Sequence, residues 1–195
     1  MPNAPLNTDL LDRAIIFAVK AHAGTERRGK GFPYIVHPME AMEIVATMTA
    51  DQELLAAAAL HDTIEDTSVT LEDLKTHFGA RVAHLVQEES DQMPEGLSEA
   101  ESWMARKQAG IDRLARASRD AKMVALGDKL SNMRAIARDY AAKGDALWSL
   151  FHDSNPEHHA WRYRSLAHAL LELEGTAAFQ EFETLINQVF GHAAH

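Results

Sequence analysis

The chain has 195 residues, 46% of them hydrophobic and 25% charged, which is ordinary for a globular protein. Its 29 acidic and 19 basic residues give a net charge of −10, which argues against broad binding to duplex nucleic acid. The absence of cysteine excludes a disulfide scaffold, a cysteine-based zinc site and a cysteine nucleophile. This length predicts a single domain over residues 1–195.

The N-terminal segment and the apolar stretches bear on the location of the protein. Residues 1–13 contain no basic region followed by an apolar core, so no signal peptide is expected. No run of about 18 apolar residues occurs, so no membrane span is expected either.

Helical patterns begin close to the N-terminus. Thr8 is suited to cap a helix whose apolar residues recur every three or four positions and which ends near Gly24. Residues 24–37 are rich in glycine, which predicts a loop. Pro38 is a natural first helical residue, and it would open a second helix that runs to about Met48.

The rest of the chain also shows helical spacing. Asp51 can cap the apolar helix that follows it, and Thr70 with Asp73 resembles a capping box for a short helix. The segment 88–101 carries six acidic residues and no basic one, and part of it is predicted to be a mobile acidic loop. Further helices are predicted over 98–116, 119–139, 143–152, 157–174 and 176–190. Alternating β patterns are scarce, so the predicted fold class is all-α.

The sharpest polar motif is the adjacent pair His61-Asp62, close to the end of the apolar helix. Asp62, Glu65 and Asp66 are spaced i, i+3 and i+4, so on a helix they share one face. Three carboxylates crowded together repel one another unless a cation neutralises them. A solvated helix end with a hydrogen-bonded core histidine is the alternative interpretation of this motif.

Two further residues strengthen the metal interpretation. His37 follows the glycine-rich loop, and Asp128 lies inside an apolar stretch where a buried carboxylate needs a partner. Together with His61 and Asp62 they would supply two imidazoles and two carboxylates. That donor set suits one divalent ion per chain, with Mn²⁺ the best fit and Fe²⁺, Co²⁺ or Zn²⁺ as alternatives.

A basic cluster precedes the first of these histidines. Arg27, Arg28 and Lys30 lie among glycines in a chain that is otherwise strongly acidic. Such a loop can hold phosphate oxygens, and an arginine plane can stack on a nucleobase. A solvated basic loop without a ligand is the alternative.

The segments AHAGTERRGKGFPYIVHP, AAALHDTIEDT and GDKLSNMRAI, in this order, resemble the HD-type hydrolase domain of RelA/SpoT homologues. The likeness extends over about residues 10–175 and implies an HD-domain helical bundle, with a core at about 8–175 and a C-terminal helix at about 176–190. The long homologues also carry synthetase and regulatory domains, for which this chain has no room. The resemblance therefore implies a stand-alone small alarmone hydrolase, which removes the 3′-pyrophosphate from guanosine polyphosphates.

The resemblance also implies a role for each matching residue. The metal ligands would be His37, His61, Asp62 and Asp128. Glu65 and Asp66 would position or activate the attacking water. Arg27 would pack on the nucleobase with Arg28 beside it, and Asn132 would contact the nucleoside. Mn²⁺ is the implied cofactor, the implied partner is a small nucleotide rather than nucleic acid or a membrane, and a homodimer is allowed. A cytoplasmic location is expected, because the substrate is made there.

Several positions depart from the family pattern. Ala125 stands where many members have lysine, and Gly127 replaces a common alanine. Small relatives differ in substrate, so the sequence leaves open guanosine alarmones, adenosine alarmones and NADPH. A phosphomonoesterase that uses the same metal, and a non-catalytic nucleotide-binding module, are the competing interpretations.

Overall fold

The computed structural model describes residues 7–89 and 99–191. Apart from two 3-10 segments, its regular elements are ten α-helices, and the only β-type pairing in this part of the chain is an isolated bridge between Glu26 and Pro33. The helices are α1 (Asp9–Ala21), α2 (Val36–Ala46), α3 (Gln52–Leu60), α4 (Thr63–Asp66), α5 (Leu71–Phe78), α6 (Ala80–Glu89), α7 (Glu99–Arg116), α8 (Arg119–Lys143), α9 (Pro156–Ala169) and α10 (Ala177–Phe190). The predicted all-α fold class is confirmed.

Local capping explains where several helices begin. The Asp51 side chain accepts a hydrogen bond from the backbone N–H of Glu53, over 2.9 Å, at the start of α3. Thr70 and Asp73 form a complete capping box at the start of α5. Both agree with the sequence prediction. Thr8 does precede α1, but its hydroxyl donates to the Asp12 carboxylate instead of capping the helix.

Helix α3 lies at the centre of the core. All residues from Leu54 to Leu60 are buried, and the helix packs against α1, α2, α6 and α8. Its four consecutive alanines, 56–59, allow those neighbours to approach on several sides. A helix that is apolar all round belongs in an interior, and its buried end delivers His61 and Asp62 to the middle of the protein.

Helices α2 and α8 approach each other closely at Gly127. A Cβ atom placed on Gly127 of α8 would lie 2.7 Å from the Ala41 carbonyl oxygen and 2.8 Å from Val45 Cγ2 of α2. Only a residue without a side chain fits this contact as it stands. Because α2 carries His37 and α8 carries Asp128, this contact sets the separation of two predicted metal ligands.

Three predicted elements differ from the observed ones. The segment predicted as a helix over 143–152 is a 3-10 helix over Gly144–Leu150, while α8 itself extends to Lys143. The predicted helix over 157–174 ends at Ala169, and a short 3-10 turn follows. Of the predicted acidic loop, 88–89 belong to α6 and 99–101 to α7, whereas 90–98 lie outside the described residues. Within the described ranges no helix combines the length and apolar character needed to cross a membrane.

Candidate metal centre and substrate cavity

The four predicted metal ligands lie together in the interior. His37 Nε2 is 3.1 Å from Asp128 Oδ1 and 3.4 Å from Asp62 Oδ2. His61 Nε2 is 2.9 Å from Asp62 Oδ2 and 3.5 Å from Asp128 Oδ1. Donor atoms of His37, His61 and Asp128 all fall within 4.8 Å of one another. Residues that are up to 91 positions apart in sequence thus direct two imidazole nitrogens and two carboxylates at one point.

Both histidines are oriented as metal ligands. His61 Nδ1 lies 2.8 Å from the Ala58 carbonyl oxygen, which can only accept, so Nδ1 carries a hydrogen and Nε2 is the nitrogen directed at the carboxylates. His37 Nδ1 lies 2.8 Å from the Ser131 hydroxyl, and its Nε2 also faces the carboxylates. Two imidazole nitrogens directed at two carboxylates fit a divalent cation with open positions for water.

The electrostatics of the centre also favour a cation. Burial alone would raise the pKa of Asp128, but the Lys129 ammonium and the two imidazoles outweigh burial and hold this pKa well below its usual range. Asp62 behaves in the same way, because His61 and His37 outweigh its burial and lower its pKa. Burial would lower the pKa of His61, yet Asp62 and Asp128 raise it well above the ordinary value. The carboxylates of Asp62 and Asp128 are therefore ionised, and their oxygens can serve as ligands for a cation.

An ion pair on the far side of Asp128 fixes the orientation of that carboxylate. Lys129 Nζ lies 2.6 Å from Asp128 Oδ2 and 3.1 Å from Glu89 Oε2, and all three side chains are largely buried. With Oδ2 held by the ammonium, Oδ1 points to the histidines. Burial raises the pKa of Glu89, against the pull of Lys129. Glu89, which belongs to the acidic segment 88–101 that was predicted to be partly a mobile loop, is in fact buried and pairs with Lys129 beside Asp128.

Tyr34 supports the opposite side of the centre. Its hydroxyl donates a hydrogen bond to Asp62 Oδ2 over 2.6 Å. The Arg27 guanidinium lies over the Tyr34 ring, 5.2 Å from the ring centroid. The centroids of the His22 and Tyr34 rings are 5.0 Å apart. His22 is buried, and neither of its ring nitrogens has a hydrogen-bond partner. Burial lowers the pKa of His22, although Asp62 and Asp66 pull it upward.

A cavity of about 620 Å³ opens beside the centre. Tyr34 and Asn132 form part of its wall, and both contact predicted ligands, since Asn132 Nδ2 donates to Asp128 Oδ1 over 2.5 Å. Five cationic side chains line it: Arg27, Arg28, Lys30, Lys143 and Arg162. Three aromatic side chains line it as well: Tyr34, Phe151 and Tyr163. In a chain of charge −10, this concentration of positive charge favours an anionic aromatic ligand.

The predicted basic loop is attached to α8. Arg27 Nη2 donates to Asn132 Oδ1 over 2.6 Å, and Lys30 forms an ion pair with Asp139. Arg28 remains exposed at the cavity wall. Both polar atoms of the Asn132 amide are thus engaged within the protein, one with Arg27 and one with Asp128. The amide connects the basic loop to the metal centre.

The predicted catalytic pair lies on α4, directly after the ligand pair. Glu65 and Asp66 are exposed, whereas His61 is buried two residues before the helix. The Tyr34 hydroxyl interacts with Asp66 as well as with Asp62. The two carboxylates therefore stand at the solvent-facing edge of the centre, where a water molecule can reach them.

Sequence reasoning missed several side chains of this site. Ser131 was identifiable in principle, because it lies three residues after Asp128 and so shares its helix face. Tyr34 and Lys129 are neighbours in sequence of predicted residues, but nothing local says that they contact carboxylates. Nothing in the sequence indicates the far wall of the cavity, since this wall comes from the 3-10 segment, the two residues after it and the middle of α9.

Comparisons with known proteins identify relatives of this chain. A family model described as the HD domain matches residues 14–153. Human MESH1, named guanosine-3′,5′-bis(diphosphate) 3′-pyrophosphohydrolase, is 38% identical over 127 residues, which is 63% of this chain and 66% of that protein. Mouse MESH1 is 34% identical over 180 residues, which is 89% of each chain. A protein of Aquifex aeolicus with the same enzyme name is 43% identical over 83 residues.

These alignments differ in how much of each relative they span. The chain covers just under two thirds of the human protein, most of the mouse protein and 12% of the much longer Aquifex protein. The matching part of the long protein covers 43% of this chain.

Solved structures share the fold. A metazoan SpoT ortholog described as hydrolysing ppGpp superposes with a TM-score of 0.74 at 23% identity, over 97% of this chain and 100% of that one. A Listeria monocytogenes protein superposes with a TM-score of 0.68 at 26% identity, over 83% of this chain and 98% of that one. The chain therefore belongs to the HD-domain family, in the group that contains MESH1 and the hydrolase domains of RelA/SpoT homologues.

Proposed function

We propose that this protein is a metal-dependent pyrophosphohydrolase that removes the 3′-pyrophosphate from guanosine 3′,5′-polyphosphate alarmones. The observation that carries this proposal is that Tyr34 and Asn132 join a buried His/Asp centre to a cavity lined by five cations. A metal-binding centre suits phosphate hydrolysis, and the cationic wall suits a ligand that bears several phosphates. The names of the MESH1 relatives, which specify this reaction, support the choice of substrate.

One divalent ion would be held by His37, His61, Asp62 and Asp128. The convergence of the two buried histidine Nε2 atoms on the ionised carboxylates of Asp62 and Asp128 supports this assignment. When bound, such an ion polarises a phosphoryl oxygen and lowers the pKa of water. Mn²⁺ suits a mixed set of nitrogen and oxygen donors, and we propose it as the cofactor.

Proton transfer and substrate binding fall to residues around the centre. Glu65 or Asp66, at the solvent-facing edge, would accept the proton of the water that attacks the 3′ phosphorus. The bond from this phosphorus to the ribose 3′ oxygen breaks, and the 3′ oxygen takes up a proton to become a hydroxyl group. The pyrophosphate that is released carries the oxygen of the attacking water. Arg27 and Arg28 would bind the nucleotide, and Asn132 would orient both the nucleotide and Asp128, which its amide already contacts.

The proposal extends to the setting of the reaction. We propose that residues 1–195 act as one domain in the cytoplasm, on a free nucleotide rather than on nucleic acid. The net charge of −10 supports the exclusion of nucleic acid. A homodimer is also proposed, and light scattering of the purified protein would test it.

Product analysis tests the reaction. The purified protein with Mn²⁺ is given guanosine and adenosine nucleotides that carry a 3′-pyrophosphate, and also NADPH. Release of pyrophosphate from the guanosine substrate is expected, together with its loss by at least about 10²-fold in Asp62→Asn. The matched control is Asp112→Asn, on the exposed face of α7, which should retain full activity.

Other products would overturn the proposal in a defined way. Orthophosphate instead of pyrophosphate would indicate a phosphomonoesterase, and activity restricted to NADPH would indicate an NADPH phosphatase. A preference for the adenosine nucleotide would assign the same chemistry to the other alarmone class. Nucleotide binding without any turnover would indicate a binding module.

A further inference from the structure

A polar network behind His37 connects α2 to α8. His37 Nδ1 lies 2.8 Å from Ser131 Oγ, and Ser131 donates its hydroxyl hydrogen to Glu40 Oε2 over 2.7 Å. His37 and Ser131 are 3% and 1% exposed, so the hydrogen bond between them is shielded from competing water, whereas Glu40 is partly exposed. It lies on the side of the imidazole that faces away from Asp62 and Asp128.

The spacing of these residues on the two helices makes the arrangement specific. His37 and Glu40 are three residues apart on α2, and Asp128 and Ser131 are three residues apart on α8. Each pair therefore lies on one face of its helix. Because α2 and α8 approach closely at Gly127, the two faces meet, and the histidine contacts both α8 residues.

The direction of the hydrogen bonds follows from the chemistry of the three groups. A carboxylate can only accept, so the Ser131 hydroxyl must donate to Glu40. The Arg134 guanidinium lies 3.3 Å from the other oxygen of Glu40. The hydroxyl oxygen then has lone pairs left for His37, which must carry its hydrogen on Nδ1. Nε2 is consequently the atom with the lone pair, and it faces the centre.

We propose that Ser131 and Glu40 are positioning residues that hold His37 in its metal-binding tautomer and orientation. Neither residue touches the proposed metal position, and both act through the imidazole. Hydrogen bonds of this kind to the second nitrogen of a ligating histidine change metal affinity by about 10- to 100-fold when they are removed. This inference rests on the metal centre of the proposed function.

Mn²⁺ binding to the metal-free protein tests the inference without any nucleotide. The dissociation constant is measured from the electron paramagnetic resonance signal of free Mn²⁺. Ser131→Ala and Glu40→Gln should each raise this constant by about 10- to 100-fold. Because both residues act through one chain of hydrogen bonds, the double variant should lose little more Mn²⁺ affinity than either single variant.

Two matched controls separate positioning from general damage. Glu43→Gln removes the same charge one turn further along α2, from a side chain that is 66% exposed and 3.9 Å from Arg134. Thr47→Val, at the residue directly after α2, removes a hydroxyl that donates to the Ile44 carbonyl. Both should bind Mn²⁺ like the wild type. Circular dichroism of each metal-free variant reports whether it folds. If Ser131→Ala does not fold, the Mn²⁺ affinity of Glu40→Gln alone tests the inference.

The outcomes are distinct from those of the activity test. Wild-type Mn²⁺ affinity in both Ser131→Ala and Glu40→Gln would overturn the inference, even if the protein hydrolyses alarmones. The inference would also be overturned if the losses of Mn²⁺ affinity were strictly additive in the double variant, or if Glu43→Gln lost as much Mn²⁺ affinity as Glu40→Gln. Failure of the protein to hydrolyse any alarmone, with the Mn²⁺ results as expected, would overturn only the proposed function.

Discussion

The Tyr34 hydroxyl donates a hydrogen bond to the same carboxylate oxygen of Asp62 that lies nearest to both histidines. The ring of Tyr34 carries the Arg27 guanidinium on its face, at the wall of the cavity. One side chain therefore contacts both the proposed metal ligand and the proposed nucleotide-binding residue. Burial and the neighbouring Asp62 raise the pKa of the Tyr34 hydroxyl, so it remains a donor at neutral pH.

Tyr34→Phe tests the importance of this donor. The substitution keeps the ring beneath Arg27 but removes the hydrogen bond to Asp62. We expect the Mn²⁺ concentration needed for half-maximal activity to rise by about 10-fold or more, because a support of a ligand carboxylate is lost. Tyr140→Phe, which removes an exposed hydroxyl 3.3 Å from Asp145, is the control. An unchanged Mn²⁺ requirement in Tyr34→Phe would show that the hydroxyl does not support Asp62.

Lys129 is the partner of two buried carboxylates. Lys129→Met removes the ammonium group that pairs with both Asp128 and Glu89. Removal of one partner of a buried ion pair costs about 3–5 kcal/mol, and we expect a loss of this size in the free energy of unfolding of the metal-free protein. Urea denaturation at neutral pH measures it. The second substitution Glu89→Gln should recover part of the loss, since it removes one of the stranded charges.

An exposed lysine provides the comparison for this experiment. Lys75 pairs with Glu72 at 3.8 Å, and both side chains are well exposed. Lys75→Met should change the free energy of unfolding by less than about 1 kcal/mol. If Lys129→Met proved no more damaging than Lys75→Met, the buried pair would not stabilise the fold as described.

The parts of this molecule that follow from short stretches of sequence could be predicted. Asp51 and the Thr70–Asp73 pair cap their helices through contacts within three residues, so composition and spacing were sufficient. Thr8 was predicted wrongly as a cap, because its hydroxyl finds the Asp12 carboxylate of its own helix instead. Local sequence therefore identifies residues that can cap a helix, but the other hydrogen-bond acceptors nearby determine which hydrogen bond the side chain forms.

The candidate site also contains residues that the sequence predicts and residues that it does not. The motifs around His61 and Asp128 are recognisable in sequence, and their resemblance to a family predicts that these distant residues form one site. Glu89 was assigned to an acidic segment, because its partner Lys129 lies 40 residues away and only packing of α6 on α8 joins them. The far wall of the cavity, with Arg162, depends on the same kind of long-range packing.

Gly127 should be sensitive to a single added methyl group. Gly127→Ala would place a Cβ atom 2.7 Å from the Ala41 carbonyl oxygen, so α2 and α8 must move apart. Overpacking of this kind costs about 1–3 kcal/mol, against which alanine returns about 1 kcal/mol of helix propensity. We expect a lower melting temperature and weaker Mn²⁺ binding, since the two helices carry His37 and Asp128.

Gly175 is the matched control for this substitution. It lies outside the α-helices in open space, and an added Cβ would meet no atom within 4 Å. Gly175→Ala should leave both the melting temperature and Mn²⁺ binding close to those of the wild type. Gly127→Ala with unchanged properties would mean that the two helices separate freely, contrary to the close contact observed.

Asp51 should stabilise the protein in a pH-dependent way. Burial opposes its ionisation, but Arg81 and the backbone N–H groups of Glu53 and Leu54 together outweigh burial and lower the pKa of Asp51. The folded state thus binds a proton less readily than the unfolded one, so the contribution is present above the ordinary carboxyl pKa of about 3.9 and lost as the pH falls through the lowered value. Asp51→Ala should cost about 1 kcal/mol at pH 7, measured by thermal unfolding, and the difference from the wild type should shrink below pH about 4. A difference that stays constant down to the lowest pH at which both proteins fold would contradict an electrostatic role for this cap.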